Sequence, residues 1–175
     1  MLLKHQNITI RNACIEDAAL LAQWWNDGRV MAHAGFPNGL GITSEEVSSQ
    51  IESDSDDTRQ RLILLSGETP IGEMCYYNLG NSVAEIGIKI CEFSYQEKGI
   101  GRVALSMLIS FLFQNGYSKI VLDTDLKNTR AQHVYEKLGF EKVKVNIDTW
   151  TNQLGQLESS VDYTLTEAHF RNFAV

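Results

Sequence analysis

Gly99-Ile100-Gly101-Arg102-Val103-Ala104-Leu105-Ser106-Met107-Leu108-Ile109-Ser110-Phe111-Leu112 is the longest regular apolar pattern in the chain. Ile100, Val103, Ala104, Met107, Leu108, Phe111 and Leu112 recur in alternating steps of three and one, which places them on one face of a helix. Asn115-Gly116 ends that helix, because glycine accepts the left-handed cap conformation. Upstream, Val83 to Ile90 reads as a strand; downstream, Ile120 to Leu122 reads as a short buried one. A strand, a helix and a second strand make a crossover, and a crossover normally leaves its two strands parallel.

Arg61 to Ser66 and Pro70 to Leu79 flank a Gly67-Glu68 turn, and Gly80-Asn81-Ser82 leads into the strand at Val83. These three strands imply an antiparallel meander. Residues 7–12 form a strand, followed by a helix with Ile15, Ala18, Leu21, Ala22 and Trp25 at helical spacing. Thr43 and Glu46 form a capping-box pattern that opens a second helix running to about Ile51. The acidic run Glu52-Ser53-Asp54-Ser55-Asp56-Asp57 reads as a solvated loop. A helix from Thr129 to Leu138 closes at Gly139. Val143, Val145 and Ile147, then Val161, Tyr163 and Leu165, alternate as a final hairpin. The expectation is an α+β fold, a mixed and mostly antiparallel sheet flanked by helices, as one domain over residues 1–175.

Composition narrows the function. The 15 basic and 22 acidic side chains leave a net charge of −7 with no basic run, which argues against a nucleic-acid partner and suits a cationic one. Cys14, Cys75 and Cys91 are too widely spaced for a disulfide framework or a paired metal motif. His5, His33, His133 and His169 show no metal-ligand spacing either, so no metal is expected. The apolar run at the start is too short for a signal peptide, and no segment approaches the ~18 apolar residues of a membrane span. A cytoplasmic protein without a membrane partner is the expectation.

Gln96-Glu97-Lys98-Gly99-Ile100-Gly101-Arg102 is the first segment that carries chemistry. A helix start leaves backbone N–H groups unpaired at the positive end of the macrodipole, and glycines there let an anion approach. Lys98 and Arg102 add charge. The same residues satisfy the dinucleotide fingerprint G-x-G-x-x-[GA]. That motif needs its strand to run directly into the first glycine, and here Cys91 to Lys98 intervene. The second segment is Asn128-Thr129-Arg130-Ala131-Gln132-His133-Val134-Tyr135-Glu136-Lys137-Leu138-Gly139-Phe140. Taken singly, Asn128 is an N-cap and Tyr135 a core residue on the face shared by Ala131, Val134 and Leu138.

Together the two segments resemble the signatures of the GNAT acetyltransferase superfamily. Gln96, Gly99 and Gly101 match [QR]-x-x-G-x-[GA]; Asn128, Ala131, Tyr135, Gly139 and Phe140 match N-x-x-A-x-x-x-Y-x-x-x-G-F. Arg11, Asp17, Trp24-Trp25-Asn26-Asp27 and Val30 look like the branch with ribosomal-protein N-terminal and aminoglycoside acetyltransferases. The resemblance implies a splayed central strand pair and acetyl-CoA as donor, with the amides of Gln96, Glu97, Lys98, Gly99, Ile100, Gly101 and Arg102 on its diphosphate. It implies that the amide of Ile90 or Cys91 polarises the thioester carbonyl and that Asn128 touches the pantetheine arm. Tyr135 would protonate the departing thiolate.

Glu85 matches a strand glutamate that acts as base in some members of the family, and it shares its strand face with Gly87 and Lys89. Its ordinary pKa of about 4.3 requires burial or a relaying water for that role. Trp24 and Trp25 lie about 100° apart on their helix, so one is expected in the core and the other along the acceptor groove. Cys91 reads as a packing cysteine rather than a nucleophile. The function implied is transfer of an acetyl group to a primary amine, with a protein N-terminus, an aminoglycoside and a polyamine all open. A non-catalytic acyl-CoA-binding or sensing domain is the alternative, and a homodimer is left open.

Overall fold

The computed structural model describes residues 1–175. Strands β1 (Leu2–His5) and β2 (Ile8–Asn12) form a hairpin turned at Gln6, whose φ is 51°. β1 was not expected, because glutamine seldom takes the left-handed conformation that such a turn needs. The first expected helix is two pieces, a 3-10 turn at Ile15–Asp17 and α1 (Ala18–Asn26). The short α2 (Gly28–Met31) follows, capped by the Asp27 carboxylate accepting from Arg29 N at 2.8 Å. α3 (Ser44–Glu52) starts with the anticipated capping box: Thr43 Oγ1 accepts from Glu46 N at 3.2 Å, and Glu46 Oε2 from Thr43 N at 2.8 Å.

The meander is β3 (Arg59–Ser66), β4 (Thr69–Asn78) and β5 (Val83–Ile90). Then come α4 (Ile100–Gln114), β6 (Lys119–Asp125), α5 (Thr129–Leu138), β7 (Glu141–Thr151) and β8 (Leu157–Thr166). All eight strands join one sheet in the order β1-β2-β3-β4-β5-β6-β8-β7, antiparallel except at β5–β6. The α+β expectation holds.

The acidic run after α3 is tied down rather than solvated. Asp54 pairs with the buried guanidinium of Arg61, and Asp56 accepts from the Tyr76 hydroxyl at 2.7 Å. The side chains of β3 and β4 beneath the run supply these partners, and the local sequence does not reveal them.

One sheet face packs on α4 and α5 with 24 buried apolar residues; α1 and α3 cover part of the other face with a cluster of 10. Leu105, Leu108, Ile109 and Leu112 of α4 are fully buried, each contributing roughly 1.5–3 kcal/mol. α4 is buried on more than the expected face because the C-terminal tail lies along it: Phe173 N donates to Ser106 Oγ at 3.0 Å, and Phe170 packs on Phe113.

β5 and β6 pair only at Val83↔Lys119, Ala84↔Ile120 and Glu85↔Val121. Beyond that, β5 follows β4 to the Gly72↔Ile90 pair, while β6 follows β8 to Asp125↔Ser160. Residues 86–90 and 122–125 therefore border an opened seam. The segment from Ala32 to Gly39 passes over the end of β6, where His33 Nδ1 lies 3.7 Å from Asp125 Oδ2. There it meets the tip of the β7–β8 hairpin. Gln153 N donates to Gly35 O at 2.8 Å, Asn38 N to Gln153 Oε1 at 2.9 Å, and Gln153 Nε2 to Gly39 O at 2.9 Å.

Candidate acyl-transfer site

The start of α4 faces the opened seam. Its cap, Gly99, has φ 78° and offers no capping side chain, and the first helical bond is Val103 N to Gly99 O at 3.3 Å. The amides of Ile100, Gly101 and Arg102 therefore have no carbonyl to reach. A Cβ at Gly99 would meet nothing within 4 Å, and one at Gly101 only Ile88 Cδ1 at 3.9 Å. Gly101 is helical, so neither backbone nor packing demands glycine there. Its missing side chain leaves the amides accessible, as a diphosphate requires.

The loop before this helix is pinned. The Gln96 side chain donates to Ile90 O at 2.9 Å and accepts from Arg130 at 3.1 Å, and Arg130 also pairs with Glu97 at 3.3 Å. Gln96 N is occupied by Phe93 O at 3.1 Å, so Gln96 acts through its side chain on the loop rather than through a free amide. Glu97 holds a left-handed φ of 61°, which with Gly99 curls the loop toward the helix start. Lys98 lies over the Tyr95 ring at 5.6 Å and remains at the edge of the loop. The Arg102 guanidinium stacks on Phe173 at 4.3 Å. That side chain is committed to the tail, and only its amide points into the helix start.

Along the seam, alternation decides which amides are free. Cys91 N donates to Ile71 O at 2.9 Å, so the bonded pairs of β4–β5 are those of Cys91, Lys89, Gly87 and Glu85. The amides of Ile88 and Ile90 point the other way, into the opening. Of the two amides expected to polarise a carbonyl, that of Cys91 is thus engaged and that of Ile90 is available. Burial raises the Cys91 thiol far above its ordinary value, in keeping with a packing cysteine.

Across the seam, α5 carries Tyr135, 8% exposed, with its ring 5.8 Å from both Phe140 and Tyr163. Its hydroxyl has no hydrogen-bond partner in the chain. Burial, then the charge of Asp123, pushes its pKa up to about 12. It stays protonated through the neutral range and can act as an acid. Asn128 caps α5, its Oδ1 accepting from Ala131 N at 3.2 Å, and its Nδ2 has no partner in the chain.

The opposite sheet face holds Glu85. Its carboxyl is raised above the ordinary range, by burial first and by Asp123 second, and Asp123 is raised in turn by burial and by Asp162. Lys89 on the same face is neutralised by Glu73 at 2.9 Å, and the same Glu73 oxygen accepts from Trp25 Nε1 at 2.8 Å. Trp24 and Trp25 are both largely buried, Trp25 in the core and Trp24 along the wall of a groove; each aims its N–H at a different carboxylate, Trp24 at Glu92 (3.0 Å). A groove of about 390 Å³ lies between α1 and the Cys91–Phe93 segment, with Asp27 and Arg29 on its wall. In the sequence Asp123 stands out only as the downstream acid of the dinucleotide fingerprint, and Asp162 does not stand out at all. The available signal was an acid in the interior of each strand, where apolar alternation would be ordinary.

A sheet split at its one parallel junction, with an uncapped glycine-bordered helix start at the split, defines a class of fold suited to an extended, phosphate-bearing ligand. Residues 7–141 match the family model described as the acetyltransferase (GNAT) domain, and the chain belongs to that family. It is similar to the mycothiol acetyltransferase of Corynebacterium glutamicum (strain R), with 24% identity over 132 residues, covering 75% of this chain and 45% of that protein. The chain spans less than half the length of the curated relatives it matches. In fold it resembles the spermidine N-acetyltransferase from Vibrio cholerae in complex with CoA and spermine (19% identity, TM-score 0.83, 93% of this chain and 97% of that one). It also resembles the ribosomal-protein-S5-alanine acetyltransferase from Vibrio fischeri (17%, TM-score 0.81, 98% and 99%). No helix is long and apolar enough to cross a membrane.

Proposed function

We propose that residues 1–175 act as one N-acetyltransferase domain that moves the acetyl group of acetyl-CoA to a primary amine in the cytoplasm. The observation that carries this reading is the opening of the β5–β6 seam directly onto the uncapped, side-chain-free start of α4. Acetyl-CoA supplies the acetyl group as a thioester. The amides of Ile100, Gly101 and Arg102 bind its diphosphate, the Ile90 amide donates to the carbonyl oxygen, and Asn128 Nδ2 meets the pantetheine arm. Glu85 takes a proton from the acceptor ammonium, directly or through water, as the C–N bond forms. Tyr135 gives its proton to sulfur as the C–S bond breaks, and both groups then re-equilibrate with solvent.

A cationic amine suits the net charge of −7 and the acidic face around Glu85. Spermidine and ribosomal-protein acetyltransferases among the solved relatives support an amine acceptor. The test is thiol release from acetyl-CoA against a panel of amines, with release expected only when an amine is present. Binding of acetyl-CoA without release for any amine would leave a binding domain instead.

A further inference from the structure

β7 closes one end of the sheet order, so its outer edge has no neighbouring strand. Its apolar side chains are uncovered as well. Val143, Val145 and Ile147 are 63%, 42% and 61% exposed, whereas Val161, Tyr163 and Leu165 on the adjoining β8 are exposed by 1% or less. A free apolar edge is a template for another strand, and it is usually covered or broken.

Strand alternation tells which backbone groups this edge offers. Leu126 N donates to Ser159 O at 2.9 Å, so Ser159, Val161 and Tyr163 direct their amides and carbonyls toward β6. Ser160 and Asp162 therefore serve β7, where Asn146 and Lys144 stand opposite them. The N–H and C=O of Val145, between those two, point outward. Val143 and Ile147 fall outside the register with β8, because the ladder is irregular on either side of Val145. These irregularities confine the free edge to a short stretch centred there.

That stretch, Lys142-Val143-Lys144-Val145-Asn146-Ile147-Asp148, is complementary to its own reverse. About an axis at Val145, Val145 meets its own copy and Val143 meets Ile147. Lys142, whose partner in its own chain is the exposed Glu136 at 3.6 Å, comes opposite Asp148. Lys144 comes opposite Asn146, which gives only its Nδ2 to Ser160 and Asp162. Other registers fit less well. An axis at Lys144 sets that lysine against itself, and like charges directly opposite cost stability. An axis at Asn146 leaves Val143 opposite Thr149.

We propose that β7 is a dimer interface, pairing antiparallel with β7 of a second copy about a two-fold axis at Val145. The pairing covers the apolar row of each copy with that of the other. It also uses up the free edge, so the assembly closes at two chains.

Sedimentation of the whole chain over about 1 to 100 μM is the test, the range in which a small interface dissociates. The mass should rise with concentration from 19.7 kDa toward twice that value. Val145→Lys places two ammonium groups on the axis and should hold the protein monomeric throughout, with its circular dichroism unchanged. Lys142→Glu should raise the dimer dissociation constant about 10-fold, since the axis makes each altered charge pair count twice. Adding Asp148→Lys to Lys142→Glu exchanges the charges and should restore the wild-type constant. A wild type that stays monomeric, a Val145→Lys protein that still dimerises, or a double variant no tighter than Lys142→Glu overturns the proposal. Should Val145→Lys fail to fold, the charge exchange decides alone.

Discussion

The Gln96 side-chain amide donates to the Ile90 carbonyl at 2.9 Å, joining the loop before α4 to the end of the strand that borders the seam. Gln96→Leu removes that bond, leaves the carbonyl without a partner and reduces Arg130 to its pairing with Glu97. We expect the Kd for acetyl-CoA to rise about 10-fold, the scale of one hydrogen bond, with a small loss of Tm. Calorimetric titration checks this, and an unaltered Kd would reduce Gln96 to a fastener of the loop.

Gly101→Asp separates ligand binding from folding. The new Cβ meets only Ile88 at 3.9 Å, and an acid near a helix start is favourable, so the unliganded Tm should hold. The wild type should gain about 2.7 kcal/mol at acetyl-CoA concentrations 100-fold above Kd. The variant should gain nearly nothing, because its carboxylate occupies the place of the diphosphate. Equal thermal shifts in the two proteins would remove the helix start from the site.

Tyr135→Phe keeps the ring packing on Phe140 and Tyr163 and deletes a hydroxyl that has no partner. Stability should therefore be unchanged or slightly higher. Turnover at saturating acetyl-CoA should fall, by ~10²-fold at most if the hydroxyl is the general acid. Unchanged turnover from pH 6 to 9 would return Tyr135 to the core.

Glu85 and Asp123 make a prediction with a sign. Glu85 works as a base only when ionised, and its raised pKa sets the acid limb of the rate profile. Asp123→Asn removes one cause of that rise, so the limb should move to lower pH. Glu85→Gln should lower the rate near neutrality and partly recover at higher pH, where more of the amine is already free. For stability, a carboxyl raised on folding favours the native state below its unfolded pKa. That benefit is lost as pH climbs through the folded value. At pH 7 Glu85→Gln should thus be at least as stable as wild type. Limbs that do not move in Asp123→Asn would break the coupling.

The element order was legible because the periodicities were clean. The α4 pattern, the Thr43–Glu46 box and the Gly139 cap appear where the residues indicate them. β1 escaped because Gln6 turns the chain without a glycine. Burial around α4 was underestimated because the covering tail comes from residues near 173, far along the chain. The partners of the two tryptophans were not legible for a related reason: Glu73 and Glu92 receive their N–H groups, and no local spacing announces partners 48 and 68 residues away.

Within the candidate site, the residue types of the helix start were readable and the direction of its atoms was not. Arg102 carries the charge expected beside a diphosphate, yet its side chain lies on Phe173. Cys91 and Ile90 are neighbours in sequence, but strand alternation sends their amides to opposite sides, and only the register with Ile71 tells which is which.

The short β5–β6 junction makes the sheet two plates joined along three residue pairs, β1 to β5 on one side and β6, β8 and β7 on the other. Glu85 belongs to the first plate. Tyr135 rides with the second, since α5 seats it against Tyr163 of β8. The separation of the proposed proton acceptor and proton donor is therefore set by the angle between the plates. A substitution that alters the twist of either plate, even one remote from every catalytic atom, changes that separation. A ligand touching both plates fixes it, so occupancy of the seam tunes the geometry of the chemistry as a hinge tunes the opening of a jaw.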